Sequence, residues 1–260
     1  MASPRAAAVE SSGLTARRLI APLRLLRCGL HILHGVLLCA LVFPFSTKSK
    51  RMSRVGRWSA QMLVALGVEL RAAGRAESGA VLFVANHVSW LDILAINAVQ
   101  PVRFVSKSDI RRWPLLGWLV ACGGTLFIER HRPRDAIRVV HLMAEALRCG
   151  QPVAVFPEGT TSDGHGLLPF HANLLQAAIS AGVTVQPIAL RFADSLGPVS
   201  AAAAYVGDTT LWQTLWAVVS GVELIAHVTL LPIHSAPLPA RRTLAAQIQR
   251  EIGAALTAQR

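Results

Sequence analysis

The chain has 260 residues, enough for one substantial α/β domain with an appendage, and its 53% hydrophobic against 15% charged residues lean towards a membrane-associated protein. The formal charge of +12 is unevenly spread: residues 1–75 hold twelve Lys/Arg against two Glu, a net of +10, and residues 76–260 fourteen against twelve, a net of +2. Those arginines flank a long apolar run, and neither a zinc-finger spacing nor an aromatic RNA-binding signature accompanies them, so the expected partner is a membrane surface and not nucleic acid.

Residues 1–16, MASPRAAAVESSGLTA, read as a disordered leader. Residues 17–75 read as membrane-associated helices. Within them, Cys28 to Phe45 is the most apolar part, 18 residues long, or about 27 Å as a helix against a hydrocarbon core of about 30 Å. No small-residue cleavage site follows it, so the segment is expected to be retained. Arg24 and Arg27 before it, with Lys48, Lys50 and Arg51 after it, leave spanning and lying in one leaflet both open. Residues 51–72 form a second helix, with Met52, Val55, Trp58, Met62 and Leu66 on one face, as in an interfacial amphipathic helix; packing on the main domain is the other reading.

After Arg75 the pattern changes to short apolar runs alternating with helices, and 76–260 reads as one α/β domain. Ala80–Ala85, Val102–Ser106, Thr125–Glu129, Pro152–Phe156, Val183–Leu190 and Val222–Leu231 read as strands. Asp135–Cys149 and Ala172–Ala181 read as helices closed by Gly150 and Gly182, and the stretch from Arg241 as a closing amphipathic helix. Such alternation implies an α/β fold with a largely parallel sheet flanked by helices and active groups beyond the strand carboxyl ends. Cys28, Cys39, Cys122 and Cys149 are widely spaced without a C-x-x-C, which suggests neither a zinc site nor a disulfide framework and fits a reducing compartment.

Two stretches concentrate ionisable groups among apolar neighbours. In VLFVANHVSWLDILAI, His87 follows a strand directly and Asp92 stands five positions on. If the intervening chain turns into a helix, the carboxylate can accept the Nδ1 proton, orient the ring and stabilise the imidazolium formed when Nε2 takes a proton. Taken alone, a pair of this spacing is more readily a satisfied core histidine beside a helix cap. In FPEGTTSDG, Pro157 and Gly159 punctuate a turn, and the backbone with Thr160, Thr161 and Ser162 offers donors for an anionic group. Glu158 in that turn calls for a hydroxyl or a cation as its partner.

NHVSWLD (86–92), GTLFIER (124–130), FPEGTTS (156–162) and VQPIAL (185–190) together resemble the lysophospholipid acyltransferases, whose best-known members are the 1-acylglycerol-3-phosphate acyltransferases. The resemblance covers roughly residues 50–235 and implies an α/β domain preceded by a membrane-binding helical pair. It makes His87 the base that deprotonates the acceptor hydroxyl and Asp92 its orienting partner. It links Lys107 and Arg130 to anion binding and Glu158 and Gly159 to the acceptor site, beside Thr160 and Thr161.

The implied donor is acyl-CoA or acyl-carrier protein, used as substrate with no cofactor and no metal. The implied acceptor is a lysolipid, first 1-acyl-sn-glycerol-3-phosphate, giving phosphatidic acid. Thr161 and His171 stand where the phosphatidate-forming pattern has Arg and commonly Lys, which brings forward a lyso-ornithine lipid or another lysophospholipid. The expected place is the inner membrane, with the active site facing the cytoplasm. Rival readings are a non-enzymatic lipid-binding protein and a metal-dependent hydrolase using His87, Asp92 and His165.

Overall fold

A computed structural model describes residues 4–111, 113–128 and 133–258. The first helix, α1, spans Pro4–Leu37 and continues as a wider π turn over Leu38–Val42. It therefore begins at Pro4, inside the segment expected to be a disordered leader. Three successive alanines, Ala6 to Ala8, are the strongest helix formers available and explain why the backbone winds there. Ile20–Val42, 23 residues, is long and apolar enough to cross a membrane, the one such helix among the described residues.

Helix α2 (Lys48–Leu66) starts at Thr47, whose side chain accepts the Lys50 N–H, and ends at Gly67, which adopts φ +80° and donates to the Leu63 and Val64 carbonyls. A strand, β1 (Val68–Ala73), follows at once. The expectation of one helix over 51–72 fails here for a local reason: Gly67 closes the helix, and beyond it Val68 is buried while Glu69 is exposed, a two-residue alternation. The apolar face of α2 is also not interfacial. Met62, Leu63 and Leu66 are buried in the core, Gly56 closes onto Pro101, and Trp58 stacks on His31 of α1 at 4.9 Å.

The remaining elements are β2 (Val81–Ala85), α3 (Leu91–Val99), β3 (Arg103–Lys107), α4 (Ser108–Arg111), α5 (Leu116–Cys122), β4 (Leu126–Ile128), α6 (Pro133–Arg148), β5 (Val153–Val155), α7 (Gln176–Ala181), β6 (Thr184–Ala193), α8 (Leu211–Ser220), β7 (Leu224–Leu230) and α9 (Arg241–Ala258). The seven strands lie in the order β1-β7-β6-β2-β5-β3-β4. From β6 to β4 all are parallel, while β7 pairs antiparallel with β6 and parallel with β1, so the last two run against the other five. The expected largely parallel sheet is present, with β1 added at its edge.

Alternate residues of β2 feed two cores. Val81, Phe83 and Ala85 pack with α1, α2, α3 and α8 on one face, and Leu82 and Val84 with α6, α7 and α9 on the other. Leu244, Ile248 and Ile252 are fully buried, as the four-residue interval of the last helix predicts. A strand covered on both sides is fixed in register and height, so whatever follows its carboxyl end is held as firmly as the core.

The hinge between α2 and β1 gives a test. An alanine at Gly67 forces a side chain into the left-handed region, and its Cβ meets the Arg24 guanidinium. Gly67→Ala is expected to lower the unfolding free energy by about 1–2 kcal/mol, measured by urea denaturation. An unchanged midpoint and slope would mean that the left-handed cap is dispensable.

Candidate active site

The site begins where β2 ends. Asn86, buried, fastens this end to β6: its Nδ2 donates to the Leu190 carbonyl at 2.9 Å and its Oδ1 accepts the Leu190 N–H at 2.8 Å. The chain then turns into α3. Ser89 shapes the turn, its Oγ accepting from Leu91 N–H at 3.1 Å and its carbonyl from Asp92 N–H at 3.2 Å.

Asp92 thereby lands in the first turn of α3, fully buried, with its carboxylate folded back on the preceding loop. Oδ2 lies 2.6 Å from His87 Nδ1 and also accepts the Val88 and Ser89 N–H groups at 2.7 and 3.0 Å. Two fixed backbone donors and the positive end of α3 compensate a charge that burial alone would make costly. Oδ1 has no hydrogen-bond partner among the described residues. The ring of His87 is held on a second side by Phe156, stacked at 4.0 Å and 10°, with Phe104 behind Phe156 at 5.8 Å. The histidine side chain keeps 20% exposure, so it is fixed and still reachable.

The loop after β5 closes on the same histidine. Glu158, 3% exposed, accepts His87 N–H through Oε1 at 2.7 Å and Leu168 N–H through Oε2 at 2.8 Å. Its partners are thus two backbone groups of the protein, where the sequence suggested a hydroxyl or cation of the acceptor. Burial pushes the Glu158 carboxyl above its ordinary range, opposed by the Leu168 and His87 N–H groups. Ser162 likewise turns inward, its N–H and Oγ donating to the His87 carbonyl at 2.8 and 3.2 Å. Thr161 Oγ1 donates to the Tyr205 carbonyl, while Thr160 is exposed.

Gly159 sits at φ +73°, where a Cβ would approach the His171 ring at 3.5 Å, so its lack of a side chain serves both the turn and the close approach. Lys107 is the last residue of β3, two strands from β2 and at the same carboxyl edge of the sheet. Arg130 lies outside the described residues.

The structure therefore brings His87, Asp92, Glu158, Gly159 and Thr161 into one region and puts the Lys107 backbone on the same edge. Sequence reasoning did not assign roles to Asn86, Ser89 or Phe156. The signal for Asn86 was available, since an amide at the end of an all-apolar strand must find partners when buried. Among the described residues, no three His, Cys, Asp or Glu side chains gather as a metal-binding group.

Residues 68–191 match the model of the family described as Acyltransferase. A lyso-ornithine lipid O-acyltransferase of Pseudomonas aeruginosa is 41% identical over 200 residues, which span 76% of each chain. The chain belongs to the acyltransferase family.

A 1-acyl-sn-glycerol-3-phosphate acyltransferase of Neisseria meningitidis is 43% identical over 163 residues, 63% of this acyltransferase and 64% of that relative. The crystal structure of the 1-acyl-sn-glycerophosphate acyltransferase PlsC from Thermotoga maritima superposes with a TM-score of 0.69, covering 94% of this chain and 97% of that one at 16% identity, a likeness of fold.

Two measurements test the geometry. Asp92→Asn can keep one oxygen towards the imidazole and loop donors but removes the charge that would stabilise an imidazolium at His87. Turnover is expected to fall roughly 10²–10⁴-fold with folding retained, and near-normal turnover would dismiss the pair as the acid–base unit. For Glu158, the folded carboxyl keeps its proton to higher pH than the unfolded one. Its contribution is therefore fullest below the ordinary value of 4.5 and declines as pH rises through the window above it. The unfolding free energy of wild type minus that of Glu158→Gln should fall over this window; a flat difference contradicts the raised carboxyl.

Proposed function

We propose that this acyltransferase is a lysolipid O-acyltransferase that moves a fatty acyl group from acyl-CoA or acyl-carrier protein to the free hydroxyl of a lysolipid. The observation that carries the reading is the 2.6 Å contact between His87 Nδ1 and a buried, doubly backbone-bonded Asp92 at the end of β2. That contact reserves Nε2 for the acceptor. As the lipid oxygen attacks the thioester carbonyl, Nε2 takes the hydroxyl proton, and Asp92 stabilises the resulting imidazolium. Collapse of the tetrahedral adduct forms the ester, breaks the C–S bond and returns the proton to the thiolate. The chain has no G-x-S-x-G elbow, in keeping with transfer that bypasses an acyl-enzyme.

The donor is a water-borne substrate and the acceptor a membrane lipid, so the protein works at the inner membrane with its site towards the cytoplasm. The reaction as written requires no cofactor and no metal. Lys107 and Arg130 supply cations for the acceptor headgroup, beside the backbone of Gly159 and Thr160. Glu158 acts by positioning, because both of its oxygens hold backbone N–H groups.

For the acceptor, 1-acyl-sn-glycerol-3-phosphate follows from the motif set and from relatives such as the Neisseria meningitidis protein. A lyso-ornithine lipid has separate support. Thr161 brings no cation and its hydroxyl is engaged by the Tyr205 carbonyl, which removes a charge that a phosphate monoester would use. The Pseudomonas aeruginosa relative named for that acceptor also spans more of the chain.

The test is purified full-length protein with labelled acyl-CoA or acyl-carrier protein, a panel of lysolipids and product identification by mass spectrometry. An acylated lysolipid is expected, with turnover lost in His87→Ala. Thr161→Arg should shift the acceptor ratio towards the phosphate-bearing lysolipid by roughly tenfold, the worth of one charge-assisted contact. Products absent from every lysolipid, or turnover abolished by EDTA and restored by zinc, would overturn the proposal.

A further inference from the structure

The α8 helix plays no part in the chemistry above, yet it presents two large aromatic side chains to the outside. Trp212 and Trp216 are 62% and 45% exposed, one helical turn apart, with ring centroids 6.5 Å from each other. On its other flank α8 buries Thr214 and Val218, Val219 is buried at its C-terminal end, and a capping box between Thr210 and Gln213 fixes its first turn. It is thus a well-made helix, and its aromatic pair stands on the flank left uncovered.

The neighbour of α8 is α1. Ala21 and Cys28 of α1 share the core with Val218 and Val219 of α8. Arg24 Nη1 donates to the Val219 and Gly221 carbonyls at 2.9 and 2.7 Å. A cation at a helix C-terminus is favourably placed, and here the arrangement also turns Arg24 inward from the apolar helix. His31 turns inward too, its Nε2 lying 2.9 Å from the Trp58 carbonyl. What α1 leaves outside is a leucine stripe, with Leu23, Leu26, Leu30, Leu33 and Leu37 each about half exposed.

We propose that α8 is a second membrane-contacting element, docking Trp212 and Trp216 into the headgroup zone of an anionic bilayer beside the first half of α1. Continuity selects the bilayer as occupant, since α8 is locked at Arg24 to the one helix, among the described residues, apolar enough for a membrane. Side-chain chemistry agrees: tryptophan combines a large apolar ring with an N–H that prefers the wet boundary of the lipid. Charge agrees as well, because Arg17, Arg18 and Arg27 belong to the same stretch of α1. The inference goes beyond the reaction and holds for whichever lysolipid is acylated.

The experiment uses the full chain and vesicles of phosphatidylethanolamine and phosphatidylglycerol free of donor and acceptor, so its outcome is independent of turnover. In flotation, Trp212→Ser with Trp216→Ser is expected to weaken partitioning roughly tenfold, whereas Trp212→Phe with Trp216→Phe retains most of it. Brominated acyl chains should quench wild-type tryptophan fluorescence more than that of the phenylalanine pair. The phenylalanine comparison stands even if the serine pair fails to fold. Equal quenching of wild type and phenylalanine variant overturns the proposal. So does unchanged flotation of a folded serine variant, or loss of a dimer in sedimentation with vesicle binding intact, which would assign the face to a second copy.

Discussion

A single carboxylate oxygen organises the catalytic end of this acyltransferase. Asp92 Oδ2 meets the imidazole of His87 and the N–H groups of Val88 and Ser89, all within 3.0 Å. A carboxylate with no solvent exposure survives only where fixed dipoles replace water, and the turn supplies them at the start of α3. The pair therefore depends on the height of β2, which is sealed on both faces, and on the Asn86 amide that ties its end to β6. The contact is local, but the positioning behind it belongs to the whole sheet.

Much of the fold was legible because the inner strands are short, wholly apolar runs: VLFVA and VAV are buried at every position. Periodicity also located α9, whose Leu244, Ile248 and Ile252 face the core. The missed strand, β1, has only Val68 and Leu70 turned inward and follows a helix without a spacer except Gly67, so its alternation was too brief to separate from the preceding helical pattern. The facing of α2 was ambiguous for a different reason. An apolar stripe is the same whether lipid or protein covers it, and α3 and α1 supply that cover here.

At the site, the contact between His87 and Asp92 was legible because it is local in sequence, and the resemblance of four motifs singled it out from an ordinary helix cap. Glu158 was harder. Its partners are the backbone N–H groups of His87 and Leu168, and a main-chain donor 71 residues away leaves no mark on amino-acid identity. Phe156 poses the same difficulty, since its stacking on His87 is created by the adjacency of β2 and β5. The inward bonding of Ser162 and Thr161 likewise changes hydroxyls that looked available to a ligand into struts of the loop.

The Glu158 bridge has a consequence for motion. One carboxylate grips the histidine through its main chain and the far limb of the loop through Leu168, while Ser162 grips the histidine carbonyl between them. Lifting this loop would pull His87 away from Asp92. The loop and the imidazole therefore form one rigid unit, in which a displacement of either is a displacement of both.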